Sequence, residues 1–562
     1  MDMKKWGYSG FGRTSVGAGG SPGRSHPVRM ISADLEQTLS AIMSELGNSE
    51  DVKIRRLSVG IRPAVAVAVV RLSTLADSVT INDFVIGSLL KFDRIIPEEY
   101  GEKAEGLQNM MLERMLESGE ATVKDDWNDM ILGLLSGDTA VLLNGCASSI
   151  ICDTRSSEGR AIEAPTTQLV VRGPRDSFVE SVGTNVMLIR RRVKSPNLWM
   201  ERLTVGEVTK TDIALLYIKG TCDDKLLDEV KARIGKIKTD SILESGYIEE
   251  WIQDKTLTPF PTIYNTERPD TVAANLLEGR VVVVVDGSPF VLILPAVFSQ
   301  FFESPADYSQ RFEVVIVMRL IRYLSYIILL FGPSIFVALT TFHYDMIPTT
   351  LLISLLAQRE NVPFPALAEA LLMIGAFEIM QEAGIRMPRA VGQTVSVVGG
   401  LVVGQAAVEA GIVTPAMVIV VALTGIAVFA IPAYNMAIAG RIISQGFLLL
   451  GGMFGFYGIT LGLILLTAHL NSLRSFGLPY LTPVVPLSIN GLRESLLRLP
   501  SSFSRSGSVS MGSSADRSNP GSDKDSSAPE ADQSPSIRVK DSEANRRSRG
   551  AAKKGGQQDG HL

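Results

Sequence analysis

The chain has 562 residues, 54 Lys+Arg against 59 Asp+Glu for a formal net charge of -5, and three cysteines. A mean hydropathy of +0.21 with only 20% charged residues is too apolar for an ordinary soluble enzyme, and a pI of 5.7 argues against nucleic acid as the main partner. Cys146, Cys152 and Cys222 are too few for a disulfide framework and show no CxxC metal spacing.

Residues 1–27, MDMKKWGYSGFGRTSVGAGGSPGRSHP, start basic but contain no apolar signal core, which predicts a cytosolic amino-terminal half. The glycine run GAGGSPG has no strand before it and reads as a flexible arm, not a phosphate loop. In ADLEQTLSAIMSEL, Leu35, Leu39, Ile42, Met43 and Leu46 recur at helical spacing. Residues 1–50 are therefore expected to be a disordered arm with one short helix.

Residues 51–303 alternate strand-like and helix-like segments and carry a duplication. LLSGDTAVLLNG (134–145) matches LLEGRVVVVVDG (276–287). Each predicts a helix closing at a glycine (Gly137, Gly279), an apolar strand, and an Asn-Gly or Asp-Gly pair that favours a type I′ hairpin. Upstream, AVAVAVVRL (64–72) finds its counterpart in DIALLYIKG (212–220), which is followed by the helical DDKLLDEVKARIGKI. Two tandem related α/β subdomains are expected, 51–200 including a connecting segment and 201–303. The connecting stretch 168–198 reads as a strand, a helix entered through Pro174, and a basic cluster. Arg172, Arg175, Arg190, Arg191 and Arg192 fit either ion pairs between subdomains or subunits, the commoner use of such arginines, or an anion or lipid-headgroup site.

Residues 304–490 form the membrane half, all-α, with about five spans expected near 323–342, 364–383, 391–410, 415–434 and 446–468. Arg311, Arg319, Arg322, Arg386, Arg389 and Arg441 fall on alternate connections, as the positive-inside rule asks. The first span is expected to break near Gly332-Pro333. A further break must interrupt 347–383 at AQRENVPFP, because one helix there would run to about 55 Å; residues 347–357 then either lie at the outer interface or dip in and return. Residues 491–562 are expected to be a disordered polar tail.

Two sets of residues inside the spans carry candidate function. Glu369 and Glu378 are intramembrane acids; Glu378 and Glu382 are expected to form intersubunit ion pairs with Arg386 or Arg389. On the helix 391–410, Ser396, Gly400 and Gly404 form a small-residue packing face, while Val395, Val398, Val402, Gln405 and Glu409 form an opposite stripe. That stripe reads as pore-lining, with Val398 and Val402 as a gate and Glu409 as a cation-attracting ring. The competing reading is a buried helix whose glutamate is paired. The four histidines are scattered, and neither a phosphate loop nor a metal cluster is present in the sequence, so no enzyme activity, cofactor or metal is expected.

Several longer stretches carry a family resemblance: VVRGPRDSFVESVGTNVMLIRRRVKSPNL, PFPTIYNTERPDTVAANLLEGRVVVVVDGSPFVLILPAVFSQFFESPADY, VPFPALAEALLMIGAFEIMQEAGIRMP and GQTVSVVGGLVVGQAAVEAGIV. They resemble the A subunits of GerA-type spore germination receptors, in order over about residues 55 to 490. The resemblance implies a multi-pass protein of the inner membrane of bacterial endospores, partnered by B and C subunits. It also implies a homo-oligomer acting as a nutrient-gated cation channel, the germinant being bound largely by the B subunit. A relative of the same architecture, the stage V sporulation protein AF, implies instead a scaffold or channel accessory. A secondary transporter is the third reading, motivated by the break at 357–365 and by Glu369.

Overall fold

The computed structural model describes residues 29–59, 65–91, 104–114, 121–156, 164–165, 167–170, 172–386, 404–488, 491–492 and 495. Its first half is built twice on one plan. Helix α1 (Leu35–Glu45) opens the first copy, followed by β1 (Val52–Val59) and β2 (Val65–Leu72), a helical stretch 78–91 and α2 (Ala104–Arg114). Then come β3 (Ala121–Lys124), α3 (Trp127–Ser136), β4 (Thr139–Leu143) and β5 (Ser149–Cys152). The second copy repeats the order with α4 (Val182–Arg192), β6 (Leu198–Val205), β7 (Thr211–Ile218), α5 (Asp224–Gly235) and α6 (Ser245–Ile252). It closes with β8 (Tyr264–Thr266), α7 (Pro269–Leu277), β9 (Val281–Val285) and β10 (Val291–Leu294). The antiparallel sheets run β1-β2-β4-β5-β3 and β6-β7-β9-β10-β8, position for position the same.

The two-residue alternation of the strands sorts their side chains between layers. On β2, Ala68, Val70 and Leu72 enter a core shared by both sheets and by α1, α3, α4 and α7, whereas Val67 and Val69 face the helical stretch 78–91. On β7, Ala214, Leu216 and Ile218 enter the shared core, and Ile213, Leu215 and Tyr217 pack on α5 and α6. α1 is thus a core element of the first copy; Leu39 and Ile42 are 2% and 0% exposed. The boundary expected at 200/201 falls inside β6, and the described part of 168–172, read as a strand, is not one.

Local signals acted where they were local. Gly137 and Gly279 close α3 and α7 in the left-handed region, φ 102° and 87°. The β4–β5 and β9–β10 turns differ from the expected type I′: only Gly145 and Gly287 have positive φ (91° and 84°), and Cys146 N–H donates to Leu143 O. Positive φ at the third position alone is the type II pattern.

The second half is a helix bundle. α8 (Phe312–Thr341) runs unbroken through Pro333, against the expected break. α9 (Thr349–Arg359) buries none of its residues and stops before α10 (Ala366–Arg386), so the chain does divide at AQRENVPFP. Residues 404–409 are helical, α11 (Pro415–Phe429) follows, and α12 (Tyr434–Ser472) ends the bundle.

α12 is not one rod. Gly455 sits at φ 60°, ψ -141°, and a Cβ on Gly462 would lie 2.7 Å from the Phe447 ring. Along a continuous helix those two residues would be about 22 Å apart. The chain therefore reverses at Gly455: 434–454 climbs beside α8, placing Gly440 against Tyr326 and Gly451 against Ser334, and 456–472 returns. The return arm ends at the α/β half, where His469 Nε2 meets Thr258 Oγ1 at 2.9 Å and the following Tyr480 packs on Phe298 and Phe301. The single outward crossing expected over 446–468 is replaced by a hairpin, and the chain after Ser472 lies at the same end of the bundle as the sheets.

Candidate functional site

Two acids of the bundle, Glu369 and Glu378, are held by partners that lie far away in the chain. Glu369, 1% exposed in the first turn of α10, accepts from Thr414 Oγ1 at 2.5 Å and from the Thr414 backbone N–H. Thr414 is the N-cap of α11 and accepts in turn from Met417 N–H, so a carboxylate sits where the helix leaves its amide donors unpaired. Glu382 pairs with Arg386 at 2.6 Å, one turn on in the same helix and not across a subunit boundary as expected. Glu378 does not: its Oε2 takes Arg441 Nη1 at 2.6 Å, across from α12, and the same nitrogen donates to Gln381 Oε1 at 2.9 Å. A small cavity beside this pair is lined by Phe377, Thr424, Gly425 and Ser444.

Of the proposed pore helix, Val395, Ser396, Val398, Gly400 and Val402 lie outside the described residues. Its outer turns are described. A Cβ on Gly404 would stand 3.7 Å from Val418 Cγ1, and Ala407 and Val408 pack on the cluster of Val337 and Met417. Gln405 and Glu409 are exposed on the other side, with Gln405 Nε2 donating to Glu409 Oε1 at 2.8 Å. Gly411, at φ 64°, then turns the chain beneath the Asn361 carbonyl, 3.0 Å from where a Cβ would be. The polar break after α9 thus lies beside the C-terminal end of this helix.

The five arginines do not make one site. Arg190, 2% exposed, is paired with Asp51, which is also 2% exposed, with Nη2 to Oδ1 at 3.0 Å and Nη1 to Leu198 O at 3.2 Å. Arg191 donates to Ser156 O at 2.7 Å, and Arg192 holds Asp176 through both carboxylate oxygens. Arg172 and Arg175 remain exposed on the link between the copies.

The junction between sheets and bundle is built on Asp307, a residue with no sequence signal of its own, and on two arginines that flank the first span. Asp307, 2% exposed, receives Arg319 Nε at 3.2 Å and both Arg322 terminal nitrogens at 2.7 and 2.8 Å. Arg319 Nη1 also donates to Ser495 O at 2.6 Å, tying in the chain beyond α12. Burial pushes the nearby Glu303 carboxyl up to about 7, against the pull of Arg319; burial does the same to Glu249. Arg319 and Arg322 could be read in the sequence only as charges flanking a span. Among the described residues, no cluster of His, Cys, Asp and Glu could hold a metal ion.

A family model described as Bacillus/Clostridium GerA spore germination protein matches residues 40–507. The chain belongs to the GerA family. Among curated relatives, it is 49% identical to spore germination protein KA of Bacillus subtilis (strain 168) over 477 residues, covering 85% of this chain and 86% of that protein. It is 39% identical to the uncharacterized membrane protein YfkQ of the same organism over 472 residues, 84% and 90% of the two chains. Among solved structures, the N-terminal domain of the A subunit of the Bacillus megaterium spore germinant receptor GerK3 is 37% identical, with a TM-score of 0.38. The match covers 49% of this chain and 99% of that one.

Proposed function

We propose that this GerA-family chain is the A subunit of a germinant receptor, oligomerising in the inner spore membrane with B and C subunits into a nutrient-gated cation channel. Among the described residues, α8 at 30 residues and α12 at 39, the latter as two arms, are long and apolar enough to cross a bilayer. With the reversal at Gly455, our reading has six crossing segments: α8, α10, the stretch expected at 391–410, α11 and the two arms of α12. Arg311, Arg319, Arg322, Arg441 and Arg474 then belong to the sheet side or to the segments nearest it, which fits a cytosolic α/β half.

The observation that carries the channel reading is the exposed Gln405–Glu409 stripe. The helix packs on its own bundle through Gly404, Ala407 and Val408 and turns its polar side away from it. Polar groups facing hydrocarbon are costly, and a shared aqueous lumen between copies removes that cost. A transporter built on Glu369 is less favoured, because that carboxylate is buried and engaged with Thr414. Under the channel reading, Val402→Ala widens a constriction and leaks cations from vesicles or cells without a germinant, whereas Val403→Ala does not. Wild-type tightness of both variants at matched protein levels would remove the pore assignment.

A further inference from the structure

The link between the two α/β copies is fixed in place and exposed at once. Glu267 Oε1 accepts from Thr167 N–H at 2.7 Å and Gln168 N–H at 3.0 Å; Arg268 donates to Gln168 O at 3.3 Å and to Pro174 O at 3.0 Å. Held by these bonds, Leu169 is 79% exposed and Arg172 and Arg175 point to solvent. No ion pair of either arginine occurs among those of the described residues. Among the described residues, an exposed apolar side chain thus stands beside two guanidinium groups that no ion pair engages.

The position of the link supplies the use. Gly173 rests against Ser309, whose Oγ would be 3.3 Å from a Cβ there. Ser309 is three residues from Phe312, the first residue of α8, a span of at most about 11 Å. α8 is apolar on its outer face from its first turns: Val317 is 55% exposed, Leu320 68% and Leu324 53%, while Arg319 and Arg322 of the same turns point inward to Asp307. If the bilayer covers that face, its headgroup layer begins in the first turns of α8, ahead of the span at 323–342, and Arg311, Arg172 and Arg175 fall at or near headgroup level. Arg311 is offset by Glu313 at 2.9 Å, which leaves two positive charges in excess.

We propose that residues 167–170 and 172–175 are a lipid-docking element, in which Leu169 enters the headgroup layer around α8 while Arg172 and Arg175 bind the phosphates of anionic lipid. Planar guanidinium forks suit phosphate oxygens, and an anionic surface attracts each such charge over a Debye length. The inference rests on α8 crossing the bilayer, so its test carries a separate probe for that.

The full chain, with Cys222→Ser to remove the one cysteine that is not buried, is reconstituted in phosphatidylcholine vesicles with or without 30% phosphatidylglycerol. A polarity-sensitive fluorophore is attached at Leu169→Cys or, as the control, at Leu320→Cys. Brominated lipid should quench the Leu320 probe in both vesicles and the Leu169 probe mainly in the anionic ones. Adding Arg172→Gln and Arg175→Gln should lower the docked fraction at Leu169, by about fivefold per arginine in the docking equilibrium, and leave Leu320 unchanged. A Leu169 probe that stays in water in both vesicles, while Leu320 is quenched, overturns docking alone. So does a Leu169 probe shielded from aqueous iodide but untouched by lipid quencher, which would mean that a second copy covers it. Absence of quenching at Leu320 as well would remove the membrane reading and the docking with it.

Discussion

Replacing Asp51 by Asn tests whether the two α/β copies are joined through a desolvated ion pair. Asp51 and Arg190 are each 2% exposed, and they lie 139 residues apart, one leading into β1 and the other in the last turn of α4. The carboxylate also accepts from Thr74 Oγ1 at 3.1 Å. Asn keeps the shape but leaves a buried guanidinium without its counter-charge, which costs about 3–5 kcal/mol, far more than a surface pair would. For a unit of this size, that lowers the unfolding midpoint by roughly 10 °C. Tryptophan emission reads it in the full chain, since Trp127, Trp199 and Trp251 all belong to the α/β half. The double replacement Asp51→Leu with Arg190→Met should recover most of the loss, because no charge is then stranded. A midpoint for Asp51→Asn within about 2 °C of wild type would refute the buried pairing.

Two further outcomes follow from the same geometry. Glu249 and Glu303 are pushed from an ordinary 4.5 up to about 7, chiefly by burial; the stability they lend as neutral acids is fully present below 4.5 and lost as pH rises through 7. The tryptophan-detected midpoint should therefore fall across that window, and Glu249→Gln with Glu303→Gln should flatten the slope; an unchanged slope would count against both shifts. Gly455→Leu puts a side chain into a backbone region open only to glycine, 2.7 Å from the His343 ring, at a backbone cost of about 1–3 kcal/mol. A cysteine at Ser472, protected from impermeant reagent outside the cell in wild type, should become accessible in that variant; reactivity from outside in the parent would contradict the hairpin.

What could be read from the sequence was what neighbours along the chain determine. The LLxG repeats announced two helix ends and two strands, because a glycine cap and an alternating strand are local devices. The break at AQRENVPFP was equally local. The reversal at Gly455 was hidden because GGMFGFYG lies inside an apolar run, and hydropathy carries no sign of direction. Partner choice was hidden for a related reason: Glu378 took Arg441, 63 residues away, over the closer Arg386, since α12 brings a guanidinium to it across the bundle. Only the assembled fold separates Arg190, which is structural, from Arg172, which is free to meet something else.

The junction at the foot of α8 also limits how the halves can move. Two routes leave the second sheet for the bundle: the chain through Phe298, Phe302 and Asp307 into α8, and the contacts of Thr258 and Phe260 with His469 at the end of α12. Both routes converge on Tyr480, whose ring lies 6.0 Å from Phe298 and 6.3 Å from Phe260, and whose hydroxyl donates to Pro261 O at 2.8 Å. Ala296 N–H and Thr262 O both bond Ser475 Oγ, at 3.0 and 2.7 Å, on the return from α12. Such a packed aromatic and hydrogen-bonded node resists shear, because sliding one element strands buried polar groups on the others. A displacement of the second sheet therefore reaches α8 and the last arm of α12 first, while α10 and residues 404–409 follow through the apolar cluster of Val337, Met373, Val408 and Leu448 and through the pairs Glu378–Arg441 and Glu369–Thr414.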